Sequence, residues 1–145
     1  MTVEILDSAF DPWHYLAEYR NKGAQRSGQF GATAVFVGTM RDFNQDEPVQ
    51  GMVLEHYPGM TEGHLEKISR EAVRRWDLID SLIVHRVGEL LPGEPIVLVA
   101  VWSAHRQAAF EASRYVMEEL KSKAPFWKKE QLEAGARWVE RNTPG

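Results

Sequence analysis

Between residues 79 and 125 the hydrophobic pattern of this chain changes period once, and that change fixes much of what it can fold into. Residues 79–87 and 95–102 are dense in Ile, Leu and Val and read as two strands. The connection Gly88-Glu-Leu-Leu-Pro-Gly93 has the glycines and proline of a turn or a short excursion, so the two strands form a hairpin. After Ser103 the apolar positions become Ala109, Ala112, Val116 and Leu120, the spacing of one helical stripe, until Pro125 stops the helix. A hairpin that runs directly into an amphipathic helix demands a sheet with a helix laid on it.

The remaining segments extend that plan. Thr2–Leu6 alternates like a short strand, and Asp11 followed by Pro12 offers an N-cap and a first helical residue for a helix over residues 12–21. Residues 31–38 are small, β-branched and aromatic between glycines, and residues 49–56 alternate well enough to be their sheet neighbour, with a polar loop over residues 41–48 between them. Leu65, Ile68, Ala72 and Trp76 mark an amphipathic helix over residues 61–76, and residues 137–140 suit a last short strand. With 145 residues, no repeat and no linker-like tract, the expectation is one α+β domain over residues 1–145 with mainly antiparallel strands.

Several chemistries are excluded by what is missing. There is no cysteine, which removes disulfides, cysteine-based zinc or iron–sulfur sites and a cysteine nucleophile, so any sulfur handled here arrives from elsewhere. The five histidines include no i, i+4 pair, and neither a metal nor a cofactor is expected. No dinucleotide, P-loop or serine-hydrolase motif is present. A formal charge of -4 argues against binding nucleic acid through phosphates. The longest uncharged run, residues 27–40, falls short of the roughly 20 residues that span a bilayer. The first charged residues, Glu4, Asp7 and Asp11, are the reverse of a targeting signal, so a soluble, cytoplasmic protein is expected.

Three constellations have the residue types of a site. Ser103, His105 and Arg106 stand where a strand meets the start of the long helix, and free N–H groups, the helix dipole, imidazole and guanidinium together suit an anion. The plainer alternative is that Ser103 caps the helix. Lys121, Lys123, Lys128 and Lys129 crowd against one acid, Glu130, beside Phe126 and Trp127. Like charge and desolvation there lower a lysine pKa and yield a nucleophile or proton donor near neutrality, with Glu130 as a matching acid or base. The alternative is a helix end whose lysines complement the dipole. Thr39, Met40 and Arg41 follow a strand that ends near Gly38, and arginine suits phosphate or carboxylate, although the pattern alone is weak. On one straight helix His105 and Lys121 stand roughly 24 Å apart at about 1.5 Å per residue, so if both serve one site the simplest arrangement is a symmetric homodimer.

Taken in order, five segments resemble a known family: Phe36-Val-Gly-Thr-Met-Arg41, Leu54-Glu-His-Tyr-Pro-Gly-Met60, His85-Arg-Val-Gly-Glu-Leu90, Ser103-Ala-His-Arg-Gln-Ala-Ala-Phe110 and Lys121-Ser-Lys-Ala-Pro-Phe-Trp-Lys-Lys-Glu130. The chain resembles the large, catalytic subunit of molybdopterin synthase from about residue 31 to residue 140. The resemblance implies an α/β-hammerhead type of α+β fold and a homodimer at the core of a heterotetramer. A small ubiquitin-like sulfur carrier with a C-terminal Gly-Gly thiocarboxylate is the implied partner, and cyclic pyranopterin monophosphate the implied substrate, converted to a dithiolene. It implies Lys121 and Lys128 as catalytic residues, and Thr39, Met40, Arg41, His105, Arg106, Lys129 and Glu130 as substrate-binding. Arg141 stands near a position where the family often has a further arginine and is left outside the site. The rival from another class is a non-catalytic module that binds a phosphorylated small molecule or an acidic peptide tail.

Overall fold

The computed structural model describes residues 1–23, 25–44, 47–132 and 135–139. In chain order the elements are β1 (Thr2–Leu6), α1 (Pro12–Asn21), β2 (Ala32–Thr39), β3 (Phe43–Asn44), β4 (Glu47–His56), α2 (Met60–Trp76), β5 (Asp80–Arg86), β6 (Gly88–Leu90), β7 (Pro95–Ser103), α3 (Arg106–Ser122), β8 (Phe126–Leu132) and β9 (Gly135–Trp138). This is the α+β fold expected of the sequence, and among the described residues no helix is long and apolar enough to cross a membrane.

Two sheets organise it. The first has the order β1-β5-β7-β2, with β1 parallel to β5 and the other pairs antiparallel. Its central strands β5 and β7 are the two apolar runs of the sequence, and their side chains alternate between two cores. Ile83, Val97, Val99 and Val101 face Leu65, Ile68 and Ala72 of α2 and Ala109, Ala112, Val116 and Leu120 of α3. Leu82, Val84, Leu98, Ala100 and Trp102 face the other way, onto Tyr19 of α1. A sheet covered on both faces explains the apolar centres of these strands, Leu82–Val84 and Ile96–Trp102, while the polar residues Asp80, Ser81, His85, Arg86 and Ser103 stand toward their ends. Tyr19 seats α1 by donating from its hydroxyl to Asp80 Oδ2 at 2.8 Å, and Asp11 caps the helix by accepting from the Trp13 and His14 amides.

The second sheet, β3-β4-β8-β9 with β6 added to β4, closes a third core of Met40, Val49, Met52, Leu54, Val87 and Leu90. The connection between β5 and β7 is therefore the excursion that the sequence allowed: β6 leaves the first sheet to pair with β4 of the second. Arg86, buried at the departure point, holds the crossing by an ion pair to Glu94 at 3.1 Å and a bond from Nη2 to the Glu89 carbonyl at 2.6 Å.

Several expectations are corrected. Residues 49–56 are not the neighbour of residues 31–38: β2 takes the free edge of β7, and β4 pairs with β8 in the other sheet. Alternation sets which faces of a strand are wet but does not choose its partner. The polar stretch 41–48 is not all loop, because Phe43 and Asn44 pair back onto Pro48 and Glu47. The lysine-rich stretch does not end as a frayed helix; α3 stops at Ser122 and the chain re-forms as β8. The last strand is β9, four residues ending at Trp138, while Glu140 and Arg141 lie outside the described residues.

Candidate active site

Five elements converge on a cavity of about 890 Å³. The length of β2 forms one wall, α3 from Phe110 onward another, and Phe126 and Lys128 of β8, His85 of β5 and Ile96 and Val97 of β7 line the remainder. Lys121 reaches it from the last turn of α3, where its charge also complements the helix dipole. Lys128 reaches it because β8 has a period of two: Phe126, Lys128 and Glu130 point inward, and Trp127, Lys129 and Gln131 point away. The turn between α3 and β8 is pinned from below by Thr61, a fully buried residue whose hydroxyl donates to the Pro125 carbonyl at 3.1 Å and accepts from the Tyr57 amide at 3.0 Å.

The electrostatics of this corner are unusual. Burial, then the charge of Lys121 and a hydrogen bond with it, push the Lys128 amine down from 10.5 to about 7, with Glu130 pulling weakly the other way. Two ammonium groups cannot hydrogen-bond to each other, because neither keeps a lone pair. The contact between the lysines thus belongs to a state in which one of them is a free amine. His85 stacks on Phe126 with ring centroids 4.0 Å apart, and its Nδ1 lies 2.9 Å from the Arg86 carbonyl. Desolvation, outweighing that bond, drives it to about 3, with the positive charges of Lys128 and Lys121 adding to the effect. One wall therefore offers Lys128, brought to about 7 beside Lys121, next to an imidazole that stays neutral.

Of the residues singled out in the sequence, Lys121, Lys128 and Thr39 line this cavity. Met40 is packed inside the third core, and Arg41 follows it on the surface. Lys129, on the outward face of β8, lies 5.6 Å from the centre of the Trp138 ring. Glu130 is buried and accepts from Arg137 Nε at 3.0 Å across the β8–β9 pair, so its carboxylate is neutralised by a neighbour. His105 and Arg106 are exposed at the opposite end of α3 from Lys121. His105 is the N-cap residue and makes no side-chain cap; Ser103 does not cap either, and its hydroxyl donates to the His105 carbonyl at 2.5 Å.

Sequence reasoning missed His85 as part of the site and took Phe126 only as an apolar neighbour of the lysines. His85 reads as an ordinary core histidine, and only the inward period shared by Phe126, Lys128 and Glu130 hinted that the lysine stretch is a strand with one functional face. Apolar residues exposed near the cavity were also unremarked: Phe36 is 41% exposed and Phe110 70% exposed, and both line it.

Comparison with known proteins places the chain in a family. Residues 7–123 match the model of the MoaE protein family. The chain is 54% identical over 140 residues to the molybdopterin synthase catalytic subunit of Pseudomonas aeruginosa, covering 97% of this chain and 91% of that one. Among solved structures it is similar to the molybdopterin biosynthesis MoaE protein of Burkholderia ambifaria, with a TM-score of 0.79 and 48% identity over 99% of this chain and 92% of that one. It is also similar to molybdopterin synthase from Staphylococcus aureus, with a TM-score of 0.83 and 32% identity over 95% and 96% of the two chains. Sequence and backbone agree over nearly the whole length, and the chain belongs to the MoaE protein family.

Proposed function

We propose that this chain is the catalytic subunit of a molybdopterin synthase, a sulfurtransferase of molybdenum-cofactor biosynthesis, and that Lys121 and Lys128 carry its chemistry. The sulfur donor is the C-terminal thiocarboxylate of a small carrier subunit, and the acceptor is cyclic pyranopterin monophosphate. The observation that carries the reading is the partly buried lysine pair, with Lys128 brought to about 7. Once the carrier's sulfur has bonded to the pterin, releasing it requires water to add to the acyl carbon. That addition passes through a tetrahedral oxyanion, ends in a carboxylate on the carrier and leaves the sulfur on the pterin. An ammonium of the pair stabilises the oxyanion, and the free amine takes the proton from water. With no cysteine in the chain, the sulfur comes with the partner.

The exposed Phe36 and Phe110 beside the cavity favour a site completed by another chain, since apolar surface of this kind marks contact sites. We infer a homodimer in which His105 and Arg106 of one subunit supply anion contacts to the cavity of the other, with Thr39 in its lining and Arg41 close by on the surface. The test is single-turnover conversion of cyclic pyranopterin monophosphate with a thiocarboxylated carrier. Wild-type protein should form product, and Lys121→Ala and Lys128→Ala should each lose about 10²–10⁴-fold in rate, the range of a positioned acid or base. Wild-type rates from both variants would leave the lysines as a docking patch and the chain as a binding module.

A further inference from the structure

His85 is a buried titratable group at the cavity that the chemistry above leaves unused. Its surroundings define its state. The Arg86 carbonyl can only accept a hydrogen bond, so Nδ1, 2.9 Å away, carries the proton. The ring is neutral, and its other nitrogen, Nε2, is then a lone-pair acceptor. The stack on Phe126 at 4.0 Å and 17° fixes the ring plane, and His85 itself lines the cavity.

The charged groups around it sharpen the assignment. From α3 the cavity receives Lys121, together with Arg114 and Glu118, which pair with each other at 3.3 Å. From β8 it receives Lys128, while Glu130 on the same face is held by Arg137. His56 of β4 stands opposite Phe126 in the strand register. The acids are engaged, and the lysines are donors whenever they carry a full set of protons. A carboxylate at position 85 would also accept a hydrogen bond, but its charge would favour the ammonium forms of Lys121 and Lys128 and remove the free amine. A neutral imidazole accepts without that effect.

We propose that His85 is a substrate-contacting, specificity-determining residue: its Nε2 accepts a hydrogen bond from an N–H of a heterocyclic substrate whose anionic group is held elsewhere by the cationic side chains. This rests on the assigned function, because the pterin ring supplies such amide and amino N–H groups. A site built around a fixed acceptor rejects a ligand lacking the donor, since the acceptor would then be left unpaired.

Three variants separate acceptor, stacking and charge. His85→Phe keeps an aromatic ring against Phe126 and loses the acceptor. His85→Gln keeps a neutral acceptor, and His85→Glu keeps an acceptor but adds charge. Equilibrium binding of cyclic pyranopterin monophosphate, without carrier or turnover, should weaken about 5–10-fold in His85→Phe, the worth of a neutral hydrogen bond, and recover to within about twofold in His85→Gln. In both variants the titration of Lys128 should stay near its wild-type midpoint, whereas in His85→Glu it should rise. Equal affinity in wild type and His85→Phe, or equal losses in His85→Phe and His85→Gln, overturns the inference alone. Failure of the wild type to bind the pterin overturns the assigned function with it. Nitrogen NMR of the wild-type imidazole gives a reading that needs no variant. The Nδ1–H tautomer with an Nε2 resonance that moves on adding the pterin supports the proposal, and an Nε2–H tautomer or an unmoved Nε2 refutes it.

Discussion

Replacing Lys121 by methionine should make Lys128 more basic and the protein more stable while it abolishes function. The ammonium form of Lys128 is disfavoured by the drop from 10.5 to about 7, and at about 1.4 kcal/mol per pH unit that is about 5 kcal/mol. Burial is the largest single cause and Lys121 supplies the next two, its charge and a hydrogen bond, and a share of about 2 kcal/mol is taken for Lys121. A pair of unit charges about 4 Å apart at an effective dielectric near 20 repels by about 4 kcal/mol, which is ample for that share. Methionine keeps the length of the side chain and removes the charge, so the Lys128 midpoint should climb by about 1–1.5 pH units. Proton counting fixes the sign of the stability effect. Between about pH 7 and pH 10.5 the unfolded chain holds a proton on Lys128 that the folded chain has released, so stability rises with pH across that window. Raising the folded midpoint narrows the window, and Lys121→Met should gain about 1–2 kcal/mol at pH 7. Competitive labelling with an amine-reactive reagent across pH, read by mass spectrometry on the peptide that contains Lys128, measures the midpoint, and urea unfolding measures the stability. A midpoint that stays put or falls in Lys121→Met would refute the coupling, and a wild-type midpoint near 10 would refute the burial as well.

Two further outcomes follow from packing and protonation. His85 is depressed from 6.5 to about 3, so its contribution to stability is complete above about pH 6.5 and is lost as the pH falls toward 3. Between pH 7 and pH 4.5 this amounts to about 3 kcal/mol, and His85→Gln should lose that much less over the same range; parallel losses in urea unfolding at the two pH values would show that the imidazole is not the group responsible. At Gly31 a Cβ would stand 2.4 Å from the Ala104 carbonyl oxygen, a backbone atom that cannot swing away. Gly31→Ala should therefore cost about 1–3 kcal/mol, seen as a lower urea midpoint at unchanged slope, and a wild-type midpoint would mean that β2 moves freely against the start of α3.

What the sequence disclosed and what it hid divide along a physical line. The α1 cap at Asp11 and Pro12, the buried stripe Ala109, Ala112, Val116 and Leu120, and the runs of β5 and β7 are local patterns, and each appears in the structure where the pattern puts it. The partner of β4 is not a local property. Its alternation is satisfied equally by β2 or β8, and the choice depends on β6 reaching across to the second sheet. The strand character of β8 was masked for a related reason. Four lysines and a proline look like a helix end until Phe126, Lys128 and Glu130 are seen to share one face, and that face has meaning only once a cavity lies in front of it.

The same division explains why the site is where it is. A lysine at about 7 is unfavourable to fold around, so it needs neighbours fixed by something stronger than its own interactions. Lys121 and His85 sit at the ends of α3 and β5, both anchored in the largest core, whereas Lys128 belongs to the second sheet. Three devices hold the two bodies in register at this corner: β6 with the Arg86–Glu94 pair beneath it, Thr61 on the Pro125 carbonyl, and Phe126, whose ring packs against both the first and third cores. Each of them bears on how closely β8 approaches α3. The depressed Lys128 amine is therefore a property of the junction between the sheets, which is why the lysine spacing alone pointed first to a helix end.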